Sequence, residues 1–261
     1  MRVALLPALA CATIDLKRVH LVDQVGNNLL FRGNMPTNKT AFALDDLTSF
    51  MQQRASESGV AFPADYRLVD ITLNNVFDYD HHELDFWKTA PASFGELVKW
   101  PMGFDGIVSP HDLNDAARKK ICNSGIVAVD DLVNKTGTLF DWMNTAAAKP
   151  TVYYVHCSAG CDRTGEFVAA YRIFHGDYHA GRPEPTTVRN ISEIYAEDVA
   201  ECGRPPNYFS TTALKWLCFC HSYTGMSFSA GAKVDAPICE HFASCKTFGD
   251  CTPVEEDAVV V

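Results

Sequence analysis

"TVYYVHCSAGCDRTGEFVAAYRIFHG", Thr151 to Gly176, is the stretch on which the fold turns. Its opening, "TVYYVH", is β-branched and aromatic without a break, the composition of a buried strand. Its close, "TGEFVAAYRIFHG", reads as a helix, with Gly176 as the residue that stops it. Between them stands a short loop, Cys157-Ser-Ala-Gly-Cys-Asp-Arg163. A strand feeding a helix through a tight loop is half of a βα unit.

The rest of the chain repeats this alternation. "NNLLFRGNMPTN" is strand-like and then turn-rich from Gly33 to Asn38, and Phe42, Leu44, Leu47, Phe50 and Met51 have helical spacing up to about Glu57. "YRLVDITL", Tyr66 to Leu73, reads as a buried strand. A less regular stretch from Asn74 to Asn123 follows, holding "DYDHHELDFW", "KWPMGFDG" and the helical "PHDLNDAARKKIC". "SGIVAVDD", Ser124 to Asp131, is a short strand ending in two carboxylates, and Val133 to Ala148 is helical. Further helices are expected around Thr186 to Ala200 and from Asn207 to Cys220. The pattern implies an α/β fold: a central, mostly parallel twisted sheet flanked by helices in three layers.

The organisation expected is a signal peptide or opening strand over 1–20, a catalytic domain over 21–230 and a cysteine-bearing tail over 231–261. "MRVALLPALACAT" has the plan of a short secretory signal. Cleavage after Ala12 would remove Cys11, and with Cys157 free the other eight cysteines could pair. Three N-x-S/T sequons, at Asn38, Asn134 and Asn190, point the same way, so the expectation tips toward the secretory pathway. A net charge of −10 argues against nucleic acid as a partner. No apolar stretch is long enough to span a bilayer, and a monomer is expected.

The loop after the strand carries the chemistry. Its main-chain N–H groups gather at a helix N-terminus, which makes an anion site. Arg163 adds a two-pronged clamp for phosphate oxygens. The same field stabilises a thiolate, so Cys157 becomes a nucleophile near neutral pH. Gly160 lets the backbone turn its amides inward, and Thr164 can donate a hydrogen bond to the sulfur. Ser158, Ala159, Gly160, Cys161, Asp162 and Arg163 are the expected phosphate-binding residues, with His156 and Thr164 in support.

The motif His156-Cys157-x5-Arg163-Thr164 resembles the phosphate loop of the cysteine-based protein tyrosine and dual-specificity phosphatases, in an Asp-Arg-Thr variant. "LLFRGNMPT" is similar to the Arg-Gly-x-x-Pro entry segment of many dual-specificity members, and the likeness covers Leu29 to Gly176 with an insertion at 74–123. The resemblance implies phosphomonoester hydrolysis through a phosphocysteine, with no metal and no cofactor. It implies a phosphorylated protein as substrate, or alternatively a phosphoinositide or inositol phosphate. The loop has no lysine between Cys157 and Arg163, whereas several inositide-directed relatives carry one. A pseudophosphatase that only binds phosphorylated ligands is the non-enzyme alternative.

Hydrolysis needs an acid for the leaving oxygen. Asp131 and Asp162 rank first, then Asp130, then Asp105 in "WPMGFD". Cys161 is read as a small space-filling neighbour, or as a redox partner that captures oxidised Cys157. "DYDHHELD" lacks helical metal-ligand spacing, and Asp78 to His82 are assigned instead to the rim of the substrate cleft.

Overall fold

The computed structural model describes residues 13–103, 108–124, 130–175 and 191–224. Five strands form one mixed sheet in the order β1-β2-β5-β3-β4: β1 (His20–Val25), β2 (Asn28–Asn34), β3 (Arg67–Thr72), β4 (Gly95–Lys99) and β5 (Thr151–Cys157). β1 and β2 make an antiparallel hairpin, and the pairs β2–β5, β5–β3 and β3–β4 are parallel. β5 is therefore central, buried along its whole length, and its last residue is Cys157.

Alternate residues of β5 sort the molecule into layers, because successive side chains leave a strand on opposite faces. Val152 and Tyr154 face a core built with α1 (Leu44–Glu57) through Leu47, Met51 and Ala55. Phe86 and Trp87 of α2 (His81–Thr89) pack on the same side. Tyr153, Val155 and Cys157 face the other core, shared with α4 (Leu132–Asn144), α5 (Asp162–His175), α6 (Ile191–Cys202) and α7 (Tyr208–Thr224). α3 (Asp115–Ser124) is bound to α7 through a Cys122–Cys220 disulfide. The fold is the three-layer α/β arrangement expected from the alternation. No helix among the described residues is long and apolar enough to cross a membrane.

Three elements depart from the sequence reading. β1 is absent from it; its ladder partner is β2, so its place follows from a hairpin turn at Gly26 and not from its own composition. β4 and α2 lie in the stretch read as irregular. The Asp80 carboxylate accepts the main-chain N–H groups of His82 and Glu83 at 2.8 and 3.4 Å. That is an N-cap, so "DYDHHELD" is the start of a helix. Residues 1–12, the core of "SGIVAVDD" and the tail over 231–261 lie outside the described residues.

Candidate active site

The loop leaving β5 is held from below by main chain and by buried charge. Gly160 has φ +72°, and a Cβ there would lie 2.6 Å from the backbone of Gly33 and Asn34. The turn therefore needs glycine twice over: for its dihedral and for its closeness to β2. The Gly160 carbonyl accepts from the Arg32 guanidinium at 3.0 Å. The Asn74 side chain accepts the main-chain N–H of Ser158 at 3.0 Å, and the Gly165 N–H donates to the Cys161 carbonyl at 2.8 Å, opening α5.

Cys157 is buried and free, at the N-terminal end of α5. Burial alone would push its thiol up. The Arg163 charge, the Thr164 hydroxyl and the main-chain N–H groups of Thr164 and Gly160 outweigh this and draw it below the ordinary thiol range. Arg163 is itself oriented: its guanidinium donates to the Asp78 carboxylate at 2.5 Å and to the Leu73 carbonyl at 3.4 Å.

A cavity of about 310 Å³ opens over this sulfur. Cys157, Ser158, Ala159, Asp162 and Arg163 line it, joined by Asn75, Met102, Gly103, Glu166, Asn207, Phe209 and Ser210. Gly160 and Cys161 are buried and not part of the lining. Asp78, assigned from sequence to the cleft rim, reaches the site through Arg163.

His156 leaves β5 on the opposite face from Cys157. Its Nε2 lies 2.8 Å from Glu83 Oε1 and 3.1 Å from Asp70 Oδ1, all three side chains fully buried. Burial would depress the imidazole, but the two carboxylates raise it to about 10, while burial raises Glu83. Asp70, Glu83 and His156 are also the one set of three potential ligand side chains within metal-binding reach among the described residues. Of the "DYDHHELD" stretch weighed for metal ligands, Glu83 belongs to this set and His81 and His82 do not.

The four proposed acids part company. Asp162 lies on the pocket, but Arg204 grips its carboxylate at 2.9 and 2.7 Å and the Asn207 N–H donates to it at 2.8 Å. Burial would raise this carboxyl; the Arg204 and Asn207 bonds hold it below the usual range, and hence ionised. Asp131 begins α4 with φ +51°, its carboxylate accepting from the Asn134 side chain at 2.7 Å, and it does not line the pocket. Asp130 is fully buried and accepts the Gly103 N–H at 3.0 Å, fixing the backbone of the pocket wall. Asp105 lies outside the described residues, two positions beyond Gly103 in sequence.

Cys161 corrects both readings made of it. It forms a disulfide with Cys202, the last residue of α6, and is not available to capture Cys157. The Arg18 guanidinium lies against the two sulfurs. Beside the disulfide runs a buried ionic network. Arg32 pairs with Asp198 and, at 2.6 Å, with Glu201; Arg172 pairs with Glu201 at 2.9 Å and Glu197 at 3.3 Å. Burial would raise Glu201, yet Arg172 and Arg32 bring it down to about 2. Together these contacts dock α6 behind the loop and deliver the α6–α7 connection to the pocket. The sequence reading missed this wall and Glu166. Only Glu166 left a local trace, one helical turn past Asp162.

No protein-family model and no curated protein sequence matches the chain. Among solved structures, the Siw14 catalytic core is similar at 14% identity, covering 79% of this chain and 85% of that one, with a TM-score of 0.38. A DUF442 phosphatase from Shewanella putrefaciens CN-32 is similar at 15% identity, over 82% and 95% of the two chains, with a TM-score of 0.36. Human DUSP28 is similar at 12% identity, over 80% and 99%, with a TM-score of 0.33. Likenesses this distant carry no residue of the site across.

Proposed function

We propose that the chain is a cysteine-dependent phosphomonoester hydrolase. One observation carries the reading: a buried, acidified Cys157 thiol at the N-terminus of α5, beside a guanidinium oriented toward the same cavity. In the first step the Cys157 sulfur attacks phosphorus and the bond from phosphorus to the ester oxygen breaks. The leaving oxygen takes a proton from an acid or from water. In the second step water attacks the phosphocysteine, a base accepts its proton, and thiolate and inorganic phosphate are released. Arg163 and the loop N–H groups hold the equatorial oxygens through both steps. The scheme needs no metal.

The charge of the pocket favours a substrate with a single phosphate. Among the described lining residues Arg163 is the one basic side chain, against two carboxylates from Asp162 and Glu166. The nearby Arg204 is engaged by Asp162. A phosphoprotein fits this balance better than a polyphosphorylated inositol ring.

Hydrolysis of p-nitrophenyl phosphate with and without chelator, beside Cys157→Ser, tests the mechanism. Chelator-resistant turnover that the variant loses is expected; turnover surviving in Cys157→Ser refutes it. Asp162, held ionised, is a weak proton donor. Asn replacements of Asp162, Asp130, Asp131 and Asp105, compared on good and poor leaving groups, identify the acid: its loss slows only the poor ones severely.

A further inference from the structure

The reaction proposed for Cys157 leaves the other face of β5 unused. There His156 of β5, Asp70 of β3 and Glu83 of α2 converge, each fully buried. Their potential ligand atoms lie within 4.8 Å of one another. His156 Nε2 is 2.8 Å from Glu83 Oε1 and 3.1 Å from Asp70 Oδ1. Donor atoms bound about 2.0–2.2 Å from one ion stand about 3 Å apart themselves, so this spacing suits an ion held between the three.

The same contacts are poor as hydrogen bonds. Among the described residues, neither ring nitrogen of His156, neither Glu83 oxygen, nor Asp70 Oδ1 has a hydrogen-bond partner. Nearby donors are committed elsewhere. Trp87 Nε1 donates to the other Asp70 oxygen at 2.8 Å, and the Tyr154 hydroxyl donates to the Asn34 carbonyl at 2.6 Å. So many unsatisfied polar atoms in one buried cluster are costly and call for a partner. Charge points the same way. Two carboxylates facing one imidazolium leave a net negative charge in a dry site, and Asp80 pushes further against the Glu83 charge. A divalent cation with two carboxylates and a neutral imidazole balances to zero.

We propose that Asp70, Glu83 and His156 form a structural site for a divalent transition-metal ion of the Zn2+ type. The imidazole selects such an ion over Mg2+ or Ca2+, which take oxygen ligands. Trp87 fixes the Asp70 carboxylate from outside. The ion ties β5, β3 and α2 together on the face away from Cys157 and takes no part in phosphoryl transfer. The proposal therefore stands or falls separately from the hydrolase reading.

Metal analysis of a Cys157→Ser chain, which lacks the reactive thiol as a competing ligand, tests the site. The chain is produced with Zn2+, passed over a chelating resin and gel-filtered. About one Zn2+ per chain is expected to remain. Adding Glu83→Gln, which keeps the shape and removes the charge, should cut the retained Zn2+ to about a tenth. Co2+ in place of Zn2+ should give the weak visible bands of a nitrogen and oxygen site, without the strong thiolate absorption that cysteine ligands produce. Trp87→Phe, which leaves all three ligands in place, should weaken Zn2+ about 10-fold in competition with a chromophoric chelator. This variant decides the matter if Glu83→Gln does not fold. A folded Cys157→Ser chain without Zn2+, retention unchanged by Glu83→Gln, affinity unchanged by Trp87→Phe, or thiolate absorption with Co2+ overturns the proposal.

Discussion

The stretch from Thr151 to His175 and the connection from Cys202 to Ser210 meet at one pocket, but they reach it by different means. The first is continuous: strand, loop and helix bring Cys157, the loop amides and Arg163 together within a few residues. The second arrives from far along the chain, secured by a disulfide, by buried ion pairs and by the Arg204–Asp162 clasp. In the proposed function the first region holds the reacting groups, and the second walls the same pocket. Reactivity needs neighbours at fixed spacing, which a contiguous motif provides. Selectivity needs only a wall at the right place, and any packed segment can supply one.

If the division is real, damage to the first region should appear as lost turnover. Arg163→Ala is expected to lower kcat/KM for p-nitrophenyl phosphate about 1,000-fold, because it removes the clamp from the transition state. The same change should raise the thiol: Arg163 is the first of the influences that lower it, so without Arg163 the pH of half-maximal Cys157 alkylation by iodoacetamide moves up. An unmoved alkylation profile would mean that the helix end and Thr164 suffice.

Damage to the second region should appear first as lost stability. The Cys161–Cys202 bridge spans 41 residues of sequence. Chain entropy puts such a crosslink at about 4 kcal/mol, so Cys202→Ser should show a loss of that order in urea unfolding. Glu201→Gln leaves two buried guanidinium groups short of a partner and should cost about 3 kcal/mol. The pH dependence has a definite sign. Glu201 is held down to about 2 in the folded state, so its contribution is present above its ordinary value of 4.5 and is lost as pH falls from there toward 2. Unfolding at pH 7 and pH 3 should therefore show the wild type losing more stability on acidification than Glu201→Gln. Equal losses would remove Glu201 from the account.

The smallest effect belongs to Asp131. It stands off the pocket in a left-handed conformation that asparagine tolerates well. Asp131→Asn should leave kcat within about twofold and the melting temperature nearly unchanged. A severe loss of turnover on poor leaving groups alone would restore it as the acid.

What could be read from sequence tracks the same division. β5, its loop and α5 were legible because period, glycine and charge all sit within one window. β2, β3, α1 and α4 were legible from apolar spacing. β1 and β4 were not, since an edge strand of mixed polarity owes its place to a partner elsewhere. The N-cap at Asp80 hid behind a string of polar residues that also suits a loop. The partner of Cys161 was invisible because 41 residues separate it from Cys202 and nothing between them marks the pairing. Asp70 drew no notice, and Glu83 only as part of "DYDHHELD", because their meaning lies in an imidazole elsewhere in the fold.

Arg32 gives its guanidinium to the carbonyl of Gly160 on one side and to the carboxylates of α6 on the other. The curvature of the loop after β5 and the seating of a helix some forty residues away in sequence are thus answerable to a single side chain. The motif is consequently not a portable module. A fragment ending at His175 would retain every residue of the signature while leaving the Arg32 and Arg172 charges without their α6 carboxylates. Transplanting the signature into another sheet would require the equivalent of α6 to travel with it.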